Sequence, residues 1–390
     1  MSVDLFPSDR LNALRRLEEF AAAGVSAYAR TRNFVQRGHG NVSRLSAAVR
    51  HRLITEEEVI AAVLSAHRFA EAEKFVQEVL WRTYWKGWLE QRPGVWEDYV
   101  RISAMPRPAA GAALLDSPDL SGAMGRFTAE LRETGYLHNH ARMWWAAWWC
   151  HQHGLPWAAG ARFFHDHLLD ADAASNTLGW RWVAGLQTPG KTYLARRDNV
   201  AKYCPDHGSL GEIDDHVVPR IPPESADLAR MPLAEYPESP PTEGRIALLG
   251  HPDDLSIETS PLGRLRPAVA ALVDQPGAND GAAKKAWRAR AVEDAARRWS
   301  NHYGVCVERL SGWEEVAAWC TRHGCETLVL MAPFIGPDND GWQPVRRTLS
   351  GCGVEVVACR RAWDRQLFPA ARAGFFPFWH KTRSWLGRCF

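Results

Sequence analysis

Residues 213–244 constrain this chain more than any other stretch. They include VVPRIPPESADLARMPLAEYPESPPTEG, rich in Pro and acidic residues and without a helical or alternating hydrophobic period. Pro removes a backbone donor and disrupts helix interiors and central strands, so this segment reads as a linker between two differently built halves. Before it, runs such as LNALRRLEEFAAA and EEEVIAAVLSAHRFAEAEKFVQEVL space their apolar residues at helical intervals, which predicts a helical region over residues 8–90, inside a first domain that the linker bounds at residues 1–212. After it, RIALLG, GVCVERL, ETLVLMA and GVEVVACR are short β-branched runs separated by helical segments such as AWRARAVEDAARRWSNHY. That alternation predicts an α/β domain over residues 245–390 with a doubly wound, Rossmann-like parallel sheet. The turn GHPDDLS after its first strand lacks the G-x-G-x-x-G pattern, so no dinucleotide site is expected there.

A length of 390 residues suits two domains. With Lys+Arg 47 against Asp+Glu 45 the net charge is +2, so no global field marks a nucleic-acid ligand, although a local basic groove stays open. The eight Cys contain no Cys-x-x-Cys pair, which argues against a zinc ribbon, a disulfide framework or an iron–sulfur cluster; no metal is expected. The start MSVDLFPSDR is polar, and the densest apolar run, MWWAAWWC, is far shorter than the roughly 20 residues a membrane helix needs. A soluble cytoplasmic protein without a membrane partner is the expectation. The chain has 19 Trp, and most lie between Trp81 and Trp182, a crowding that suits stacking or electron transfer.

Chemistry concentrates in LLDADAASNTLGWRW, Leu168 to Trp182, and TGYLHNHARM, Thr134 to Met143. Asp170 and Asp172 would each cost several kcal/mol if buried alone, so they need partners, with Arg142 and His140 the nearest by motif. The plainer alternative is a solvated Asp pair capping a helix. RGHGNVSRLSAAVRHRL places two Gly and a candidate cap, Ser43, before a short helix whose free N–H groups suit a phosphate; an ordinary capped helix is the alternative. In EKFVQEVLWRTYWKGWL, Glu78 and Trp81 share a helix face, while Trp81, Trp85 and Trp88 also fit a simple core stripe. Residues 91–125 read as connecting loops. A helix is expected from Thr134, with Asn139 and Met143 on one face and Arg142 on its neighbour.

These stretches resemble the DNA photolyase and cryptochrome family. The likeness covers roughly the first 210 residues and also takes in Tyr28, SRLS at 43–46, EVLWR at 78–82, Trp157 with Gly160 and Phe163-Phe164, and YCPDHG at 203–208. It implies an α-helical FAD-binding domain of photolyase type. By resemblance, Ser43, Arg44, Leu45 and Ser46 hold the FAD pyrophosphate, Tyr28 closes over it, and Arg82, Arg142 and Asp170 lie beside the flavin. Asp172 and Asn176 would set the flavin electronics, and Trp180 and Trp157 would relay electrons to it. Glu78 would hydrogen-bond a damaged base, Trp81 and Trp182 would stack on it, and Asn139 and Met143 would complete the pocket.

Several positions depart from the family pattern. Ala47-Ala48 stand for Pro-Tyr, Thr83 for Glu, Gly125 for Asp, and His140 for an Arg that helps bind DNA. The implied activity is light-driven splitting of cyclobutane pyrimidine dimers in DNA, and the (6-4) enzymes' histidines are absent from positions 139 and 143. The rival reading is a cryptochrome-like receptor without repair, and a third is a cofactor-free helical interaction protein. The α/β half and its closing FFPFWHKT resemble the antenna-type domain that photolyases carry first, here placed second; this implies a fold and not a pigment.

Overall fold

The computed structural model describes residues 5–106, 108–117, 120–206, 208–224, 226–241 and 243–389. Its first half is helical: α1 (Arg10–Ala23), α2 (Val25–Thr31), α3 (Ser46–Arg50), α4 (Glu56–Ala66), α5 (Phe69–Glu90), α6 (Pro93–Ser103), α7 (Ala109–Asp116), α8 (Gly122–Thr134), α9 (Asn139–Ala147), α10 (Trp157–His167), α11 (Ala173–Val183) and α12 (Arg197–Tyr203). The long α5 is the axis of this body. It buries Ala72, Phe75, Val76 and Leu80 on one side and packs against α2, α4 and α11. Its predecessor α4 starts with a capping box, in which Thr55 accepts from the Glu58 N–H while the Glu58 side chain accepts from the Thr55 N–H.

Two expectations are corrected here. Residues 91–125 are largely helical, because Pro93 occupies the first turn of α6, where a missing N–H breaks no intrahelical bond. Pro marks a helix start there. The helix expected from Thr134 begins instead at Asn139: Gly135, in the left-handed conformation at φ 69°, closes α8, and His138 caps α9 by accepting the His140 N–H at 3.2 Å.

The Pro-rich segment has no regular element among its described residues, yet it is fastened to the helical body. The Met231 N–H donates to the Gln91 carbonyl at 2.8 Å, the Arg220 N–H to His151 Nδ1 at 3.1 Å, and Glu224 pairs with buried Arg181 at 2.5 Å. It is an anchored strap.

Beyond it lie β1 (Ile246–Gly250), β2 (Val269–Val273), α13 (Ala282–Tyr303), β3 (Val307–Leu310), α14 (Val316–Arg322), β4 (Thr327–Met331), α15 (Pro337–Gly351), β5 (Glu355–Cys359), α16 (Ala362–Leu367) and α17 (Phe375–Cys389). The five strands are parallel in the order β3-β2-β1-β4-β5, the doubly wound sheet that the alternation predicts. Strand β2, VAALV, went unread because its central Ala residues lower the β-branched signal.

Side chains alternate across the sheet. Ala247, Leu249, Ala271, Val273, Leu328 and Leu330 pack with Trp313, Trp319 and Trp342. Ile246, Leu248, Ala270, Leu272, Val329 and Met331 join the core of the helical body, so one apolar core runs through both halves. Buried ion pairs stitch the same junction: Arg50 to Asp253 at 2.7 Å, Arg52 to Asp364 at 2.7 Å, and Arg361 to Asp254 at 2.7 Å.

Candidate functional site

A cavity of about 510 Å³ opens between α2, α3, α5, α9 and α11. Every site residue predicted from the sequence lines it except Trp157 and Trp182. On one wall Arg142 pairs with Asp170 at 3.1 Å. Asp172 caps α11 by accepting the Ser175 N–H at 2.7 Å, so here the capping role and the site role coincide. Arg82 stands 4.0 Å and Lys86 3.9 Å from the other Asp172 oxygen. Burial alone would raise the pKa of both carboxylates. Arg142 and Arg82 outweigh it at Asp170, and Lys86, Arg82 and Arg50 at Asp172, holding both below the usual range. One turn on, Asn176 is fixed by donating its amide to the Ala161 carbonyl at 2.8 Å.

The opposite wall is built on α5 and α9. Glu78 is bound by Arg32 at 2.8 Å and Lys74 at 3.2 Å. Asn139 Nδ2 stands 3.9 Å from Met143 Sδ, one turn apart as the helical spacing requires. Trp81 stacks on Phe375 of α17, with ring centroids 3.9 Å apart and planes within 8°. His138 and His140 also line the cavity, but burial pushes the His138 pKa down to about 3, with His39 and His140 adding to it, and burial lowers that of His140 as well.

At the end nearest α3, Ser43 is not the cap expected of it. The helix begins at Ser46 with Leu45 in the cap position, and Ser43 Oγ instead accepts the Leu45 N–H at 3.4 Å. The intervening Arg44 takes φ +60°, a turn that presents this short loop to the cavity. Tyr28, whose pKa burial and then Glu78 raise, closes the same end.

Trp180 lines the cavity and meets Phe164 and Trp145, with centroids at 5.1 and 6.0 Å. Trp157 meets Tyr99 at 5.9 Å, outside the cavity lining. Trp182 packs on Tyr193 at 5.7 Å and is half-buried there. Sequence reasoning missed Arg32, Lys86 and Phe375. A signal existed for Lys86, a lone cation between Trp85 and Trp88 in an apolar helix face; Arg32 and Phe375 reach the site only through tertiary contacts.

Residues 127–234 match the family model of the FAD binding domain of DNA photolyase. The helical body is a photolyase-type FAD-binding domain. Among similar proteins, the deoxyribodipyrimidine photo-lyase of Streptomyces griseus is 30% identical over 200 residues, 45% of this chain and 41% of that protein. That of Thermus thermophilus is 33% identical over 197 residues, 47% and 44%. That of Escherichia coli is 25% identical over 203 residues, 48% and 42%. The match thus spans about two fifths of these curated relatives' length. A solved Synechocystis cryptochrome aligns with 50% of this chain and 43% of its own at 19% identity and a TM-score of 0.45.

The FAD-binding domain has room and chemistry for its cofactor. Its cavity lies within the ~300–1,000 Å³ typical of ligand sites. Arg44 Nε and Arg82 Nη1 are buried in its lining without a hydrogen-bond partner, as expected of cations that meet an anionic or carbonyl-bearing ligand. Elsewhere, His251, Asp253 and Asp338 lie within 4.8 Å of one another in the α/β half. Two of the three are already engaged, His251 Nε2 by the Met331 carbonyl at 2.7 Å and Asp253 by Arg50 at 2.7 Å and the Phe334 N–H at 3.0 Å, which disfavours a metal there. No helix among the described residues is long and apolar enough to cross a membrane.

Proposed function

We propose that this chain is a blue-light-dependent FAD photolyase that splits cyclobutane pyrimidine dimers in DNA. The observation that carries this reading is one cavity with two chemically distinct walls. Arg142, Asp170, Asp172, Asn176 and Trp180 form one, and Glu78, Trp81, Asn139 and Met143 form the other. FAD, when bound, supplies the light-driven electron that such a dimer needs, and the cofactor carries the difficult chemistry. The chain's residues do the rest: Arg142 and Asp170 fix the polar edge of the site, Asn176 offers an amide that cannot titrate, and Trp180 stands ready as an electron donor. On the facing wall Trp81 offers an extrahelical base a stacking surface and Glu78 a hydrogen bond.

The same walls favour cyclobutane dimers over (6-4) photoproducts. General-acid help needs a protonated group, and Asn139 and Met143 have none. The nearby His138 and His140 are held neutral by burial at physiological pH. The deciding experiment offers both lesions on otherwise identical oligonucleotides to the reduced protein under blue light and measures restored thymines. Repair of the cyclobutane dimer alone is the expected result; repair of the (6-4) lesion alone overturns the assignment.

A cryptochrome-like receptor is the second reading, favoured by one observation: the facing wall is already engaged, Glu78 by Arg32 and Trp81 by Phe375. Repair of neither lesion, with flavin photoreduction intact, selects it.

A further inference from the structure

The helix α17 belongs to the α/β half in sequence, yet it lies along α5, the helix that carries the lesion-side wall. Phe375 stacks on Trp81 at 3.9 Å, the Tyr84 hydroxyl donates to the Ala373 carbonyl at 2.6 Å, and Trp379 stacks on Phe69 at 6.1 Å. The contacts move down α5 as the chain moves up α17, so the two helices run antiparallel. Next to buried Phe375, Phe376 is 65% exposed, its ring edge-on to Phe375 at 5.9 Å and 72°. An exposed aromatic thus stands two ring contacts from the wall of the cavity.

A singly exposed apolar residue is ordinary. Here two further features distinguish it. Positions 376, 380 and 383 fall on one helix face, so Phe376, His380 and Arg383 form an exposed line along α17. Arg383 is steadied there by Glu73 at 3.7 Å and by the Phe69 ring at 5.2 Å. The helix FFPFWHKTRSWLGRC also contains Lys381, Arg383 and Arg388 and no acidic residue, in a chain that is otherwise near neutrality. That charge pattern complements a polyanion.

We propose that Phe376 is a wedge that enters a DNA duplex and fills the gap left when a damaged base pair turns out into the cavity, with the basic residues of α17 holding the adjoining backbone. The inference rests on the repair reading above. Extrusion of a base costs a few kcal/mol of lost stacking, and an apolar side chain inserted at the step recovers part of it. The wedge would stand beside the cavity because Phe375 ties it to Trp81, the residue on which the extruded base stacks.

The test uses the full FAD-loaded chain and its Phe376→Ala variant, with a cyclobutane dimer placed in a duplex and, separately, in a single strand. A 2-aminopurine opposite the lesion reports unstacking. A wedge acts only where there is a stack to enter. The variant should bind the duplex roughly tenfold more weakly, bind the single strand unchanged, and lose the 2-aminopurine brightening seen with the parent protein. Equal affinities and equal brightening for the two proteins would overturn the wedge alone, as would an equal loss on both substrates. Failure of the parent protein to bind either lesion substrate would instead remove the repair reading, and the wedge with it. Unchanged flavin absorbance in the variant certifies that the site is intact.

Discussion

Lys86 Nζ lies 3.9 Å from Asp172 Oδ2 and 3.9 Å from Glu56 Oε1, and the Lys86 side chain is 2% exposed. It is a cation through which the wall of the cavity meets the charged junction between the two halves. Burial lowers its pKa, and Glu56 and Asp172 oppose that shift. Lys86→Met is therefore expected to cost about 3–5 kcal/mol of stability, because it strands buried carboxylates. The double variant Lys86→Met/Glu56→Gln should recover part of that loss. Urea unfolding of the two variants checks this, and equal stabilities would show that Glu56 does not depend on Lys86.

Acid should act on the junction. Burial raises the Asp254 pKa, but Arg361 and Arg52 more than compensate and hold it at about 2. An unfolded Asp titrates near ~3.9. The folded value is the lower one, so the stability this carboxylate contributes is present above about pH 4 and fades as the pH falls toward 2. Asp254→Asn should lower stability at pH 7 and flatten the dependence between about pH 4 and 2. Denaturant midpoints taken across that range supply the comparison; an unchanged acid slope would place the linked proton elsewhere.

Gly160 is a contact site. A Cβ there would stand 2.4 Å from the Trp180 ring and 2.9 Å from that of Trp149, both inside contact distance. Gly160→Ala is expected to destabilise by about 1–3 kcal/mol, the usual range for overpacking, and to shift Trp180. Thermal unfolding gives the first effect, and slower flavin bleaching under blue light the second.

Electron supply to Trp180 should follow the rings it touches. Its partners include Trp145, which lies 5.7 Å from Trp148, whereas Trp157 has Tyr99 as its ring neighbour. Under the proposed function, Trp145→Phe should slow photoreduction more than Trp157→Phe, with FAD retained in both. Transient absorption of the Trp radical is the readout. The reverse order would return the relay to Trp157, the residue that family resemblance points to.

Much of the site is written locally. Asp172, Asn176 and Trp180 recur at intervals of four along α11, so one helix face carries them to the cavity. The need of Asp170 for a partner was readable too, because a carboxylate in so apolar a run needs one, but the motif offered both Arg142 and His140, and only the family resemblance pointed to Arg142. The Ser43 cap misread has a local cause: the four positions Ser43, Arg44, Leu45 and Ser46 offered several places to start a five-residue helix, and propensity does not choose among them.

By itself, the sequence determined the helical character of the first half, the alternation that becomes a parallel sheet in the second, and, through family resemblance, most of the residues that line the cavity. Hydrophobic period and short motifs act within a few turns of chain, and these features live at that range. Tertiary structure alone decided that Phe375, 294 positions from Trp81, stacks on it, that Arg32 binds Glu78, and that Lys86 lies between Glu56 and Asp172. It also decided that the Pro-rich segment is strapped to the helical body and that a single apolar core spans both halves. Those contacts join residues far apart in sequence, and they are set by the burial of apolar surface and by the need of each buried charge for a partner, which no local pattern encodes.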